Sequence, residues 1–209
     1  MPAAQKIFGI GFHKTGTSSL AQALKVLGFR VAHGIVINGP KGVTIAPPVT
    51  TGRVLPIALA RAREVDAACD NPFPLLYREL DAAFPGSKFI LTTREPRDWV
   101  ESIGRHFGER NSDALQWIYG APRVKGNEPR FLQVYENHNA AVRGHFAARP
   151  ADLLEIDFGT GEGWERLCTF LDLPIPKAAF PHDNTAKERE RKRNSVWRRF
   201  KHRLRETLR

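Results

Sequence analysis

Runs of apolar residues alternate along this chain with stretches in which apolar positions recur every three or four residues. KIFGIGF, Lys6 to Phe12, is short, apolar and followed by a glycine-rich turn, so it reads as a buried strand. Ser18 to Gly28 places leucines at 20, 24 and 27 before a glycine stop, which is helical spacing. FRVAH predicts a second strand, Val54 to Glu64 a helix, and VDAACD a third strand ending in Asp70. After Pro72, LLYRELDAAF predicts a helix broken at Pro85-Gly86. KFILTT, Lys88 to Thr93, carries the clearest strand pattern. Pro96 then stands at a first helical position ahead of RDWVESIGRHF. A long helix over FLQVYENHNAAVRGHFAA, a last strand LLEIDF and an amphipathic helix GWERLCTFLDL before Pro174 complete the pattern. Gly34 to Gly52 and Asn111 to Pro129 show no periodicity and read as irregular. Strands alternating with helices predict an α/β, three-layer, P-loop-like fold with a mostly parallel central sheet flanked by helices.

In such a sheet ligands bind at the carboxyl ends of the strands. Three predicted strands end in polar chemistry: HKTGTSS after the first, Asp70 after the third, and Arg94 after KFILTT. Gly11 and Gly16 have the spacing of a phosphate-binding loop, but the residue after Gly16 is Thr17 and the lysine sits inside the loop at Lys14. Glycines that let N–H groups turn inward, a helix N-terminus and the hydroxyls of Thr15, Thr17, Ser18 and Ser19 make an anion cradle. An ordinary strand–turn–helix junction capped by Ser or Thr would use some of the same letters. Arg94 offers a planar fork suited to phosphate, and Ser102, two helical turns on, offers a hydroxyl to the same anion. A structural ion pair is the plainer use of that arginine. The strand before it does not end in the carboxylate of a metal-binding Walker-B strand.

These segments resemble the PAPS-dependent sulfotransferases, in particular their small bacterial-type members. HKTGTS fits that family's P-K-[ST]-G-T-[TS] loop from Lys14 to Ser18, and Arg94, Pro96 and Ser102 fit its strand–Arg–Pro–helix–Ser motif. The later LLEIDFGTGEGWERLCTFLDLPIP looks like the family's closing strand, helix and turn, and AFPHDN like the small bacterial ending. The resemblance implies that Lys14 reaches the oxygen bridging the 5′-phosphate and the sulfuryl group. It implies that Thr15, Gly16, Thr17, Ser18 and Ser19 cradle the 5′-phosphate and that Arg94 and Ser102 hold the 3′-phosphate. It places the general base near CDNPFP, making Asp70 the candidate, with His13 and His33 as rivals. Asp70 could instead cap the helix after Pro72 or pair with Lys14. Ser19 stands where the cytosolic animal branch often has an adenine-stacking Trp. The family's late Arg-Lys-Gly loop has no clean counterpart; Arg189 to Arg193 could stand in. Trp99 reads as a core residue. A small P-loop kinase using ATP and a non-catalytic nucleotide-binding or membrane-associated module are the competing readings, and no metal is expected in the sulfuryl-transfer one.

Composition refines this picture. With 209 residues, 42% hydrophobic and 26% charged, the chain suits one globular domain. The net charge of +10 is concentrated: residues 185–209 carry +8 and the rest +2. The expected organisation is therefore an α/β domain over residues 1–184 and a basic tail over 185–209. Val196, Phe200, Leu204 and Leu208 give that tail an amphipathic helical spacing from Ser195 onward, suited to docking on the body or to an anionic membrane surface. Specific nucleic-acid binding is not expected; a small-molecule, glycan or lipid acceptor is. Cys69 and Cys168 form no metal or disulfide framework, no apolar run approaches the roughly 18 residues of a membrane span, and no leader is recognised, so a reducing, cytoplasmic setting is expected.

Overall fold

The computed structural model of the chain describes residues 5–181 apart from 36, 39–42 and 162. Five strands form one parallel sheet: β1 (Ile7–Gly9), β2 (Val31–His33), β3 (Ala67–Cys69), β4 (Lys88–Thr92) and β5 (Leu153–Ile156), in the order β2-β3-β1-β4-β5. Phe8 is in register with Ala68 on one side and Phe89 on the other, so β1 lies at the centre. Among the described residues seven α-helices flank the sheet: α1 (Thr17–Val26), α2 (Thr51–Glu64), α3 (Tyr77–Ala83), α4 (Pro96–Phe107), α5 (Asp113–Tyr119), α6 (Glu128–Phe146) and α7 (Trp164–Leu171).

Side chains alternate between sheet faces, so neighbouring apolar residues serve different cores. Ile7, Ala67, Ile90, Leu154 and Ile156 face α1 and α7. Phe8, Ala68, Phe89 and Leu91 face α2, α3 and the C-terminal half of α6. This is why the inner strands read as continuous apolar runs, while edge strand β5 alternates and points Glu155 outward to Arg143. A third cluster, including Phe12, Trp99, Ile118, Tyr119, Phe131 and Tyr135, sits beyond the strand ends and joins α4, α5 and the first half of α6.

The stretch from Asn111 to Pro129 is not wholly irregular. It contains α5, whose N-cap Ser112 accepts a hydrogen bond from the Leu115 N–H and which ends at Gly120 in the left-handed region (φ 69°). Leu115, Ile118 and Tyr119 do have helical spacing, but seven residues are too few to establish a period against the surrounding Gly, Pro and Arg. The proposed tail, including Arg189 to Arg193 and the 195–209 helix, lies outside the described residues, as do His182 to Asn184. Among the described residues no helix is long and apolar enough to cross a membrane.

Candidate active site

The turn after β1 is packed tightly enough to require its glycines. A Cβ on Gly11 would lie 2.1 Å from Thr92 Oγ1, and one on Gly16 would lie 2.9 Å from the Phe158 ring. Gly16 also has φ 101° at the head of α1, a conformation that costs other residues energy. Helix α1 begins with no side-chain cap and no acidic residue in its first turn, an arrangement whose positive end suits an anion. Lys14, beside it, holds φ 69°, an uncommon conformation for a side-chain-bearing residue. Thr15 uses its hydroxyl internally, donating to the Phe12 carbonyl at 2.7 Å and lying 2.6 Å from Thr92 Oγ1. Its part in an anion cradle therefore falls to its backbone N–H. Thr17 and Ser19 are buried and Ser18 is half-buried in the first turn of α1.

The turn after β4 is built differently. Arg94 is half-buried, and one phenol holds its backbone: the Tyr135 hydroxyl donates to the Arg94 carbonyl at 2.8 Å and accepts from the Arg94 N–H at 2.9 Å. Arg94 lines a cleft of about 460 Å³ with Tyr135, Asn139, Arg143, Glu155 and Asp157. Glu155 binds Arg143 through both its oxygens, at 2.8 and 2.6 Å. Among the described residues the Arg94 guanidinium forms no ion pair, so the plainer use of this arginine, a structural salt bridge, is not made there. Asn139 Oδ1 in the same wall is buried and takes no hydrogen bond among the described residues. Ser102 lies buried on α4. Here the helix N-terminus is closed from within, because the Glu95 carboxylate accepts the Asp98 N–H at 2.9 Å.

The two turns are stitched together. Thr15 meets Thr92 at the last residue of β4, and the Trp99 indole N–H from α4 donates to the His13 carbonyl at 2.8 Å. Trp99 is fully buried, in keeping with its reading as a core residue.

On the other side of Lys14, titratable groups gather. Asp70 ends the β3 turn with φ 67°, and its Oδ1 accepts the Asn71 N–H at 2.8 Å. Its Oδ2 lies 3.5 Å from His33 Nε2 at the end of β2. His13 Nδ1 lies 3.1 Å from the Tyr119 hydroxyl and 2.8 Å from Asn71 Nδ2. Burial pushes the His13 pKa below its usual value; the Asp70 charge opposes this and the Lys14 charge adds to it. Burial, reinforced by Asp70, raises the Tyr119 hydroxyl well above its ordinary range. The three candidate bases thus converge. Asp70 does not cap the helical turn that follows: that turn has no side-chain cap, and the Asp70 carbonyl, not its carboxylate, accepts the Phe73 N–H.

Asn71, Tyr119 and Tyr135 were not singled out in the sequence. Asn71 adjoins Asp70 and could have been noticed. Tyr119 meets His13 across 106 positions, and Tyr135 meets Arg94 across 41, contacts that no local pattern signals. Among the described residues no group of three or more His, Cys, Asp or Glu side chains could hold a metal ion.

Comparison with known proteins adds two findings. A family model described as "Sulfotransferase domain" matches residues 6–123 and 109–189. The chain is also 29% identical, over 242 aligned positions covering 94% of its length and 87% of the other protein's, to Ava biosynthesis cluster protein M of Aspergillus versicolor.

Proposed function

The chain belongs to the sulfotransferase domain family, and from that premise we propose that it transfers a sulfuryl group from PAPS to a hydroxyl or amine of a small-molecule, glycan or lipid acceptor. The observation that carries this reading is the stitching of two anion-binding turns through Thr15–Thr92 and Trp99–His13, with proton-accepting groups on the opposite side of Lys14. The open N-terminus of α1 and the close-packed, left-handed Gly16 fit a 5′-phosphate. Arg94 fits a 3′-phosphate.

PAPS supplies the sulfuryl group: a bond from the acceptor oxygen or nitrogen to sulfur forms, the sulfur–oxygen bond to the 5′-phosphate breaks with its electron pair going to that oxygen, and PAP leaves. Lys14 holds its ammonium where negative charge then develops; a donor of this kind is typically worth a few kcal/mol. Thr15 to Ser19 orient the 5′-phosphate, and Arg94 with Ser102 fixes the other end. Asp70 takes the acceptor's proton, with His33 beside its Oδ2. His13, kept neutral by burial, is the alternative acceptor of that proton.

The test is a calorimetric titration of PAP, ADP and ATP, without metal and again with magnesium, paired with a transfer assay. PAP should bind most tightly. Preference for ATP with magnesium would assign the site to a kinase, and tight PAP binding without turnover on any acceptor would leave a nucleotide-binding module.

A further inference from the structure

Trp99 and Tyr135 do more than fill the core above the strand ends. Their rings stack at 4.2 Å with an interplanar angle of 9°, and both are almost wholly buried. Each ring also spends its one polar group on a different anion-binding turn. The Trp99 N–H holds the carbonyl of His13, the residue before Lys14. The Tyr135 hydroxyl satisfies both backbone groups of Arg94, which stands after the last ladder bond of the strand, from the Thr93 N–H to the Ile156 carbonyl. Nothing else in the described backbone network bonds the N–H and carbonyl of Arg94.

We infer that the stacked Trp99–Tyr135 pair is a rigid spacer that sets the separation between the Lys14 turn and the Arg94 turn, and so selects nucleotides phosphorylated at both the 5′ and 3′ positions. This rests on the sulfuryl-transfer reading above. Two flat rings in contact slide little in a packed interior, and the hydrogen bonds at their ends transmit that rigidity to two loops. Positioning matters because a displacement of about 1 Å at a reacting or binding group can cost about a hundredfold. Lower down, the Thr15–Thr92 contact ties the same two segments, so the spacer governs the upper ends that carry Lys14 and Arg94. Trp99 and Tyr135 are positioning residues: each acts through a backbone group of a turn.

The roles differ in a way that a purely structural role would not. Tyr135→Phe keeps the ring stack but releases only the Arg94 side. Trp99→Phe keeps a stacked aromatic but releases the His13–Lys14 side. Calorimetry with PAP and with adenosine 5′-monophosphate, on the full chain without metal, separates them. Tyr135→Phe is expected to weaken PAP at least about tenfold while leaving the monophosphate within about twofold, which is a contribution on the order of 1.4 kcal/mol per tenfold. Trp99→Phe is expected to weaken both ligands, PAP more than the monophosphate, and to slow transfer. An unchanged ratio of PAP to monophosphate affinity in Tyr135→Phe, in a wild type that prefers PAP, overturns the spacer alone. A wild type without that preference overturns the Arg94 phosphate assignment and the spacer with it. Circular dichroism and melting temperature establish that each variant folds. Should Tyr135→Phe not fold, Trp99→Phe decides: a larger loss on PAP than on the monophosphate supports the spacer, and an unchanged ratio of the two affinities overturns it.

Discussion

The N-termini of α1 and α4 stand at the ends of neighbouring strands, and they are built in opposite ways. Helix α1 has no side-chain cap, no acidic residue in its first turn and a left-handed glycine at its head. Helix α4 is closed by the Glu95 carboxylate and carries Asp98 in its first turn. In the proposed function the first would bind with backbone, and its geometry depends on close packing around Gly11 and Gly16. The second, already capped by Glu95, would rely on side chains, Arg94 above all. A backbone site recognises any phosphate at that place. A side-chain site can be removed by one substitution, which makes it the natural seat of selectivity.

The largest effect expected is from Lys14→Ala. Turnover should fall by roughly 10²–10³-fold or more while the fold survives, as judged by single-turnover assays and circular dichroism. Ordinary turnover would remove Lys14 from the chemistry and leave the first turn as a binding device only. Arg94→Ala comes next. Losing charge-assisted hydrogen bonds of about 1.5–3 kcal/mol should weaken PAP by roughly ten- to a hundredfold while sparing adenosine 5′-monophosphate. Equal losses on the two ligands would erase the division of labour between the turns.

Acid should separate the two regions more gently. The first turn leans on His138, whose Nε2–H donates to the Ile10 carbonyl at 2.8 Å, and burial lowers that imidazole to about 4. The unfolded chain binds this proton near pH 6.5, so stability should fall as pH drops from 6.5 toward 4 and level off below. The loss from this group would reach on the order of 2 kcal/mol by pH 5. Burial of His13 acts in the same direction. Urea denaturation of the wild type and His138→Gln at pH 7 and pH 5 would measure it, with a smaller pH dependence expected in the variant. The smallest effect should come from Glu95→Ala, which removes the α4 cap at a cost of about 1 kcal/mol in urea midpoint terms and leaves monophosphate affinity unchanged. A large affinity change there would mean that α4, too, offers its N-terminus to the ligand.

The strands and most helices were legible because burial on both faces makes continuous apolar runs, as in KFILTT, and because α1 and α7 carry helical spacing with a clear stop. The loop from Gly11 to Ser19 was legible for a similar reason, since close packing and left-handed geometry demand glycine at fixed places. α5 was not, because a single hydrophobic contact face over seven residues leaves no period to detect. The second half of the site was also hidden. Tyr135 was expected only as part of a long helix, and its hydrogen bonds to Arg94 exist because α6 packs across the strand ends. Likewise Thr15 was expected to offer its hydroxyl outward, but the neighbouring strand end at Thr92 supplies an internal partner.

Strand order has a further consequence for traffic through the protein. With β1 in the middle, β3 and Asp70 lie one strand spacing, roughly 4.8 Å, to one side, and β4 and Arg94 lie the same distance to the other. In the proposed reaction the donor nucleotide would then meet Lys14 from the β4 side and the acceptor from the β3 side.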